Sequence, residues 1–470
     1  MTIKDAAQPS ADPAAKPPSL WHNTDFTKFW FGETVSLVGA QITALALPLT
    51  AVLVLEAGPE QLGLLRFVQF VPFLFLALLL GVWVDRRRRR PIMIATNLIR
   101  AGLILLIPAF AATDMLSMPV LFVVALLIGV CTVLFDVSWM SYVPSLVKKE
   151  HLVEANGRVG ASYSAAELGG PGLAGVLIQI LTAPVVLIID AVTYLVSAVS
   201  LMMIKSVEPE PVTPTTKRHL GEEVLEGLRF VVGNPYLRVI ATIGSAYNFC
   251  YMFIEAVFLI YAVRTLNFGA GMIGVVLSLS AIGGLIGSVI AGPLTRRLPI
   301  GRVYLVSVIV GYCGPLLIPA ASGPDLVEAL MICGAFFFMR LGIGVANVVA
   351  ISLRQTVTPN RLLGRMTAAM RTLMYGLGTV GALVGGFLAG VIGLRGALWV
   401  AAVGAVLAVL PLLLSNIPAL REVPPSPDDD SEQVATAPAA EAETVVAAAP
   451  GAATVDEGRP DETTGEPRRD

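Results

Sequence analysis

The chain has 470 residues, of which 55 % are hydrophobic and 14 % are charged, whereas a soluble domain carries about 25 % charged residues. This composition excludes an ordinary soluble enzyme, which needs more polar surface, and a disordered chain, which is poor in apolar residues. The net charge of −2 hides an acidic C-terminal tail, because residues 421–470 hold thirteen acidic residues and four arginines. The rest of the chain is therefore basic.

Apolar segments of about 20 residues, long enough to cross a bilayer, follow one another along the chain. They predict an all-α membrane protein with twelve transmembrane helices in two six-helix bundles. The predicted spans are 27–55, 62–84, 91–112, 118–140, 159–182, 184–204, 237–262, 270–293, 302–321, 325–349, 368–392 and 395–415.

A long polar segment separates the sixth span from the seventh and divides the chain into domains. One face of its helical pattern is apolar, which predicts an amphipathic helix lying on the membrane surface. The apolar face consists of Leu220, Val224, Leu225, Leu228 and Val231. The predicted domains are a disordered tail over 1–26, a bundle over 27–204, a linker over 205–236, a bundle over 237–415 and a disordered acidic tail over 416–470.

Basic residues concentrate in one set of loops, and this bias predicts which side faces the cytoplasm. The loop containing Arg86–Arg90 belongs to that set, whereas the opposite loops hold Arg264, Arg395 and, at the edge of the second span, Arg66. We therefore expect a multi-pass plasma-membrane protein with both termini in the cytoplasm. The arginine run is interpreted as a topology determinant that touches anionic lipid, and no nucleic-acid partner is expected.

The two groups of spans repeat each other at a distance of 210 residues. At this shift Arg86 aligns with Arg296, and Gly175 aligns with Gly385. The order of spans and loops is the same in both halves. Two six-span halves repeated in parallel are typical of one large class of transporters.

The segment GVWVDRRRRRP after the second span resembles the loop motif of the major facilitator superfamily. The matching residues are Gly81, Asp85, Arg86, Arg89 and Arg90. The resemblance implies that Gly81 permits close helix approach. It also implies that Asp85 accepts hydrogen bonds from the N-terminus of the eleventh span and so latches the outward-facing state.

The fifth span contains AAELGGPGLAG, which is similar to the glycine-rich motif of the drug:proton antiporters of that superfamily. Gly170, Pro171 and Gly175 match the motif, and Ala166 and Ala174 replace two glycines. Small residues and a proline make a smooth, kinked helix face. The resemblance implies that the other half rocks against this face.

Two further segments, PSLVKKEHLVEANGR and EGLRFVVGNPYLR, resemble the branch that contains the enterobactin exporter and macrolide efflux proteins. The first span is also similar to this branch, except that Ala40 stands where the branch often has aspartate. If that acid couples protons in relatives, another acid must do so here.

Ionisable residues within spans are costly and therefore mark functional candidates. Glu167 is the first choice for proton coupling, because it lies one turn before Pro171 and a carboxyl that alternates between dry and wet states can drive a cycle. The other coupling candidates are Glu33 and Asp136. Arg100, which is expected to reach towards Asp136, and Asp190 are assigned structural roles.

Polar and aromatic residues share one face of the seventh span and predict substrate contact. Asn248, Tyr251 and Glu255 are spaced three and four residues apart, and Gln41 corresponds to Tyr251 at the repeat shift. An acid at this position favours a cationic amphipathic ligand. Two residues of the tenth span complete the candidates, namely Arg340, which would attract an anion instead, and Asn347.

These features predict a secondary active transporter that exports a small amphipathic compound, such as a drug, siderophore or secondary metabolite, in exchange for protons. The alternatives are a proton-coupled importer of a metabolite and, from another class, a receptor or scaffold. A membrane enzyme is not supported, because no catalytic constellation is found in the sequence. We expect no cofactor and no metal, and a monomer that binds its substrate, protons and lipid.

Overall fold

The computed structural model describes residues 20–206, 208 and 220–422. The predicted tails over 1–26 and 416–470 lie largely outside these residues, as does part of the linker. The helices are α1 Thr24–Leu53, α2 Pro59–Phe75, α3 Ala77–Asp85, α4 Arg89–Ala112, α5 Met118–Leu146, α6 Leu152–Leu181, α7 Ala183–Met202, α8 Leu220–Gly233, α9 Pro235–Arg264, α10 Ala270–Arg297, α11 Ile300–Cys313, α12 Leu317–Ala320, α13 Asp325–Thr356, α14 Leu363–Ile392, α15 Leu394–Leu407 and α16 Leu410–Leu413.

Eleven helical segments of the described chain are long and apolar enough to cross a membrane. The remaining predicted span, 62–84, is divided between α2 and α3, which are separated only by Leu76. Pro72 lies inside α2, and its carbonyl accepts a hydrogen bond of 2.8 Å from the Leu76 amide. Proline lacks an amide hydrogen and so weakens the helix around it. The all-α fold with twelve crossings is confirmed, although one crossing is interrupted.

Several helices continue past the predicted ends of their spans. The fifth helix reaches Leu146 instead of residue 140, and α13 reaches Thr356 instead of residue 349. A span predicted from hydropathy ends at the first polar residues, whereas the backbone hydrogen bonds of the helix continue into the polar headgroup zone of the bilayer. The extension places Arg354 on α13, next to the interior of the protein.

The backbone repeats between the two halves at the connection that follows the glycine-rich helix. A single residue joins α6 to α7 and another joins α14 to α15. Thr182 has φ 86° and ψ 151°, and Gly393 has φ 80° and ψ 161°. Both residues occupy a region that glycine adopts readily and threonine rarely. The internal repeat found in the sequence is therefore visible in the chain path.

The first bundle comprises α1–α7 and the second α9–α16. Two close pairings join the bundles, α6 with α10 and α2 with α14. Within the first bundle, the fully buried Asp190 accepts hydrogen bonds from Thr43 and Thr193 and so ties α7 to α1. We call the end with the α3–α4, α5–α6 and α13–α14 connections the arginine-rich end, and the other end the opposite end.

The arginine run holds together two elements of the first bundle at the arginine-rich end. Glu208, which is buried, accepts hydrogen bonds of 2.8 Å from the Arg89 amide and 3.2 Å from the Arg90 amide, at the N-terminus of α4. A carboxylate at this position is stabilised by the helix dipole. Arg90 also donates to the carbonyls of Leu201 and Met202. The sequence did not identify Glu208 as a partner.

Other parts of the arginine motif differ from expectation. Among the described residues, the nearest neighbour of a Cβ added at Gly81 is the Val137 side chain, at 3.9 Å. The expected close helix approach at Gly81 is therefore wrong for this conformation. Arg86 is exposed. The side chain of Asp85, and hence its expected latch, lies outside the described part of the structure.

The predicted amphipathic helix forms as α8, but it packs on protein. Its Gly227 lies against the Arg365 backbone of α14, and Glu226 forms an ion pair with Arg365. Val231 is buried, whereas Leu225 is exposed. The interpretation of a helix that rests only on the membrane surface is corrected, because its inner face contacts the second bundle.

Candidate functional site: a central cavity between the two bundles

A cavity of about 720 Å³ lies between the two bundles. This volume is within the usual range for small-molecule sites. Seven residues predicted from the sequence for proton coupling or substrate contact line it. They are Gln41, Glu167, Asn248, Tyr251, Glu255, Arg340 and Asn347. The helices that supply the lining are α1, α2, α6, α9, α10, α11, α13 and α14.

An ion pair joins the bundles across this cavity. Glu167 Oε1 of α6 lies 3.0 Å from Arg340 Nη1 of α13, and both side chains keep more than a third of their surface exposed. Arg340 Nη2 also donates to the Tyr251 hydroxyl over 3.4 Å. A second pocket, of about 240 Å³, lies between α6, α10 and α13 and shares Glu167 and Arg340 with the central cavity. The pair thus stands where the two bundles meet.

A second ion pair also joins the bundles. Arg66 Nη2 of α2 lies 3.3 Å from Glu255 Oε1 of α9, and Arg66 donates to the Ala44 carbonyl. Arg66 was counted with the outer loops as a residue at the edge of the second span, but its side chain is 11 % exposed and lines the cavity. The prediction that Glu255 attracts a cation stays a prediction, and in this conformation its carboxylate is paired with an arginine.

Tyrosines form one wall of the cavity. The Tyr247 ring stacks between Tyr251, at a centroid distance of 6.0 Å, and Tyr312, at 4.6 Å. Tyr312 donates to the Ile243 carbonyl over 3.0 Å, which fixes its ring. Asn248 donates to the carbonyl of Gly244 on its own helix. The wall therefore presents flat aromatic faces, with the Tyr312 hydroxyl already bound to a backbone carbonyl.

The glycine-rich motif of α6 packs directly against α10 of the other bundle. A Cβ added to Gly175 would lie 2.5 Å from the Ala270 carbonyl oxygen and 3.1 Å from the Gly274 Cα. The Gly172 amide donates to the Ser278 hydroxyl over 2.9 Å. Backbones approach this closely only where small residues meet. Pro171 belongs to the same surface, because its carbonyl oxygen faces Gly274, whereas Gly170 faces Gln41 of α1 in its own bundle.

The opposite end of the cavity is closed by a second contact between the bundles. Gly63 of α2 meets Gly386 of α14, and a Cβ added at Gly63 would lie 2.8 Å from the Gly386 Cα. Arg264 of α9 donates to the carbonyls of Glu56 and Ala57 in the first loop, over 2.9 and 3.0 Å. The cavity lining instead extends towards the arginine-rich end, where Arg354, Arg371, Ile240 and Tyr304 contribute to it.

Two coupling candidates lie inside the first bundle, outside the cavity lining. Glu33 is 7 % exposed, and its Oε2 is buried without a hydrogen-bond partner among the described residues. Arg100 is within electrostatic reach of Glu33, Asp136 and Asp190. Its guanidinium stacks on Tyr194 at 4.4 Å and donates to Asn97. The described structure contains no Arg100–Asp136 ion pair within 4.0 Å, so the expected pairing is replaced by this ring contact.

Sequence reasoning missed three cavity arginines, namely Arg66, Arg354 and Arg371. It counted Arg66 with the outer loops. The predicted span bounds left Arg354 in the loop after the tenth span and Arg371 near the start of the eleventh, and neither residue was singled out. A signal was present for Arg66, which lies four residues inside its predicted span. The other two lie at the ends of apolar segments, where a charge is expected in any case.

The described residues include no cluster of histidine, cysteine and acidic side chains that could hold a metal. Two helical bundles around a cavity large enough for a small molecule, closed at one end and joined through small residues, define a membrane transporter of the alternating-access type.

The chain belongs to the Major Facilitator Superfamily, whose sequence profile matches residues 29–382. It is therefore a multi-pass transporter and not an enzyme, and the resemblance drawn from its motifs is confirmed.

Efflux proteins are among its relatives. The multidrug efflux pump Tap of Mycolicibacterium fortuitum is 26 % identical over 380 residues, which cover 78 % of this chain and 89 % of that protein. Tap of Mycobacterium tuberculosis is 25 % identical over 412 residues, 86 % of this chain and 96 % of that protein. Macrolide efflux protein A of Streptococcus pyogenes is 25 % identical over 272 residues, 57 % of this chain and 66 % of that protein.

Solved transporter structures share the fold. A bacterial homologue of the iron transporter ferroportin in the inward-facing state gives a TM-score of 0.65 at 17 % identity, covering 84 % of this chain and 99 % of that chain. A bacterial homologue of the human lysosomal transporter Spinster, also inward-facing, gives 0.62 at 13 % identity, covering 85 % and 97 %.

Proposed function

We propose that this transporter exports a small amphipathic compound from the cytoplasm in exchange for protons, as a monomer in the plasma membrane. The functions of its relatives, multidrug and macrolide efflux, support the direction of transport. The bundles over 27–204 and 237–415 would move relative to each other during transport, joined by the linker over 205–236.

The observation that carries the proposal is the ion pair between Glu167 and Arg340. It joins the two bundles at the cavity wall, with both side chains accessible to water. A proton added to Glu167 removes one of the two charges on which the ion pair depends. Proton binding would therefore weaken a contact that holds the bundles together, and so favour one arrangement of them over the other. Among the three candidate acids, Glu167 has the geometry best suited to coupling.

The two remaining candidate acids have a different place in the structure. Glu33 and Asp136 lie beside Arg100 within the first bundle and do not contact the second bundle through an ion pair in the described structure. We assign them a supporting role in the shape and charge of that bundle. Arg100 and Asp190 hold the same bundle together.

The experiment that tests the proposal uses purified protein in proteoliposomes that enclose the pH indicator pyranine. With the pH gradient imposed, adding ethidium, erythromycin or fluorescein should move protons across the membrane at a rate that depends on the protein. Empty liposomes provide the control. Proton movement that none of the three compounds alters would contradict the exchange mechanism.

The arginine-rich end is proposed to face the cytoplasm, which makes this conformation inward-facing. In a cysteine-free background, Ser322→Cys at the opposite end should react with a membrane-impermeant maleimide in intact cells. Arg361→Cys, in the α13–α14 connection, should react only after permeabilisation. Both positions are exposed. The reverse labelling pattern would invert the topology.

A further inference from the structure

The cavity carries an excess of positive charge. Four of its lining residues are arginines and two are glutamates, with no lysine or aspartate among the lining. Each glutamate is paired with an arginine, Glu255 with Arg66 and Glu167 with Arg340. Two lining arginines, Arg354 and Arg371, remain after this pairing.

Arg354 and Arg371 lie on the part of the cavity nearest the arginine-rich end. Arg354 donates its Nε to the Ala350 carbonyl over 3.2 Å, one turn earlier on the same helix. Arg371 is within electrostatic reach of Asp136, which Arg100 also influences. Across the described residues, no carboxylate comes within 4.0 Å of either guanidinium in an ion pair. Both arginines therefore keep donors for a ligand.

The partial enclosure of the cavity strengthens the electrostatic field of these arginines inside it. Low-dielectric walls focus the field of fixed charges on the space between them. A cation that enters gives up hydration and meets net repulsion. An anion of matching geometry receives charge-assisted hydrogen bonds, and arginine binds carboxylate groups with two parallel bonds.

The rest of the lining defines the other part of the ligand. The stacked rings of Tyr247, Tyr251 and Tyr312 make a flat wall towards the middle of the cavity. Tyr304 lies within electrostatic reach of Arg354, so the aromatic wall adjoins that arginine. A molecule with a planar apolar body and one acidic group would contact both surfaces at once.

We propose that the transported substrates are amphipathic organic anions, whose carboxylate or similar acidic group binds Arg354 and Arg371 while their planar apolar body packs on the tyrosine wall. This inference rests on the proposed export function and reverses the cationic preference predicted from Glu255. The arginine pair selects by charge, and the tyrosines accept varied ring systems.

Two dyes with the same three-ring body test the charge preference directly. Fluorescein is anionic at neutral pH, and rhodamine 123 is cationic. Binding to purified protein in detergent is measured by fluorescence anisotropy at low salt. Fluorescein is expected to bind about tenfold more tightly than rhodamine 123, and Arg354→Gln with Arg371→Gln should remove about that factor from fluorescein alone. Arg361→Gln, an exposed arginine of the nearby loop, is the matched control and should leave both affinities unchanged.

The inference is overturned if fluorescein binds no more tightly than rhodamine 123, including the case in which neither binds, or if the double variant keeps the preference. Thermal unfolding of the variants shows whether the fold is retained, and single Arg354→Gln and Arg371→Gln variants should each give part of the effect. Binding does not require a proton gradient. A failure of proton exchange with the anion preference intact would count against the proposed function and leave this inference standing.

Discussion

Glu167→Gln is expected to abolish proton-driven transport while leaving substrate binding measurable. In the unsubstituted protein, Glu167 Oε1 lies 3.0 Å from Arg340 Nη1. Glutamine has the same size and hydrogen-bonding reach as glutamate but no charge, so the variant cannot form this ion pair in any state. The variant therefore has no charge for a proton to neutralise at this position. In proteoliposomes, gradient-driven movement of substrate should fall about a hundredfold or more, the loss typical of a positioned proton-transfer group.

A second readout separates coupling from damage. Exchange of labelled for unlabelled substrate at equal pH needs no net proton movement, and it should persist in Glu167→Gln. Glu255→Gln is the matched control, because it removes the other carboxylate that crosses between the bundles at the cavity. Glu255→Gln should slow transport without uncoupling it. If Glu167→Gln still follows the pH gradient, coupling belongs elsewhere, and Glu33→Gln and Asp136→Asn become the variants to measure.

Gly175→Ala is expected to shift the protein away from the conformation described here. The added Cβ would lie 2.5 Å from the Ala270 carbonyl oxygen, so α6 and α10 must separate. Overpacking of this kind costs about 1–3 kcal/mol. Because the cost falls only on the state in which the helices touch, the ratio of the two states should change by a factor of about 5 to 150.

Spin labels at Met115→Cys and Ser322→Cys, one in each bundle at the opposite end, should report a longer distance in the Gly175→Ala protein. Gly274→Ala alters the same contact from α10 and should produce the same shift. Gly169→Ala is the matched control on α6, because an added Cβ there meets open space. An unchanged distance distribution in both contact variants would show that this glycine contact does not close the opposite end.

Hydropathy was sufficient to predict the helices because membrane spans are selected for length and apolar content, which can be read along the chain. Spacing placed Asn248, Tyr251 and Glu255 together, since a straight helix fixes which residues share a face. The interruption at Leu76 was not predicted, because the apolar run continues through it and hydropathy does not register a break in backbone hydrogen bonding.

The ion pairs could not be predicted for a different reason. Arg66 and Glu255 are far apart in sequence and on different helices, and their contact depends on how two bundles dock. A charge alone does not indicate its partner, so Glu255 was interpreted as a free acid. Glu208 is a similar case, because a carboxylate in a polar linker becomes informative only when the start of α4 lies beside it.

The interruption at Leu76 gives the second span the properties of a mechanical joint. The part before it, α2, packs on α14 of the other bundle as well as on α5 of its own, whereas the part after it, α3, packs mainly on α5. A continuous helix would resist bending along its whole length, but a helix with a proline and a break bends locally. The elastic cost of rocking is therefore confined to a few backbone torsions near Leu76. The half of the crossing that contacts the other bundle can then tilt while the other half keeps its packing within the first bundle.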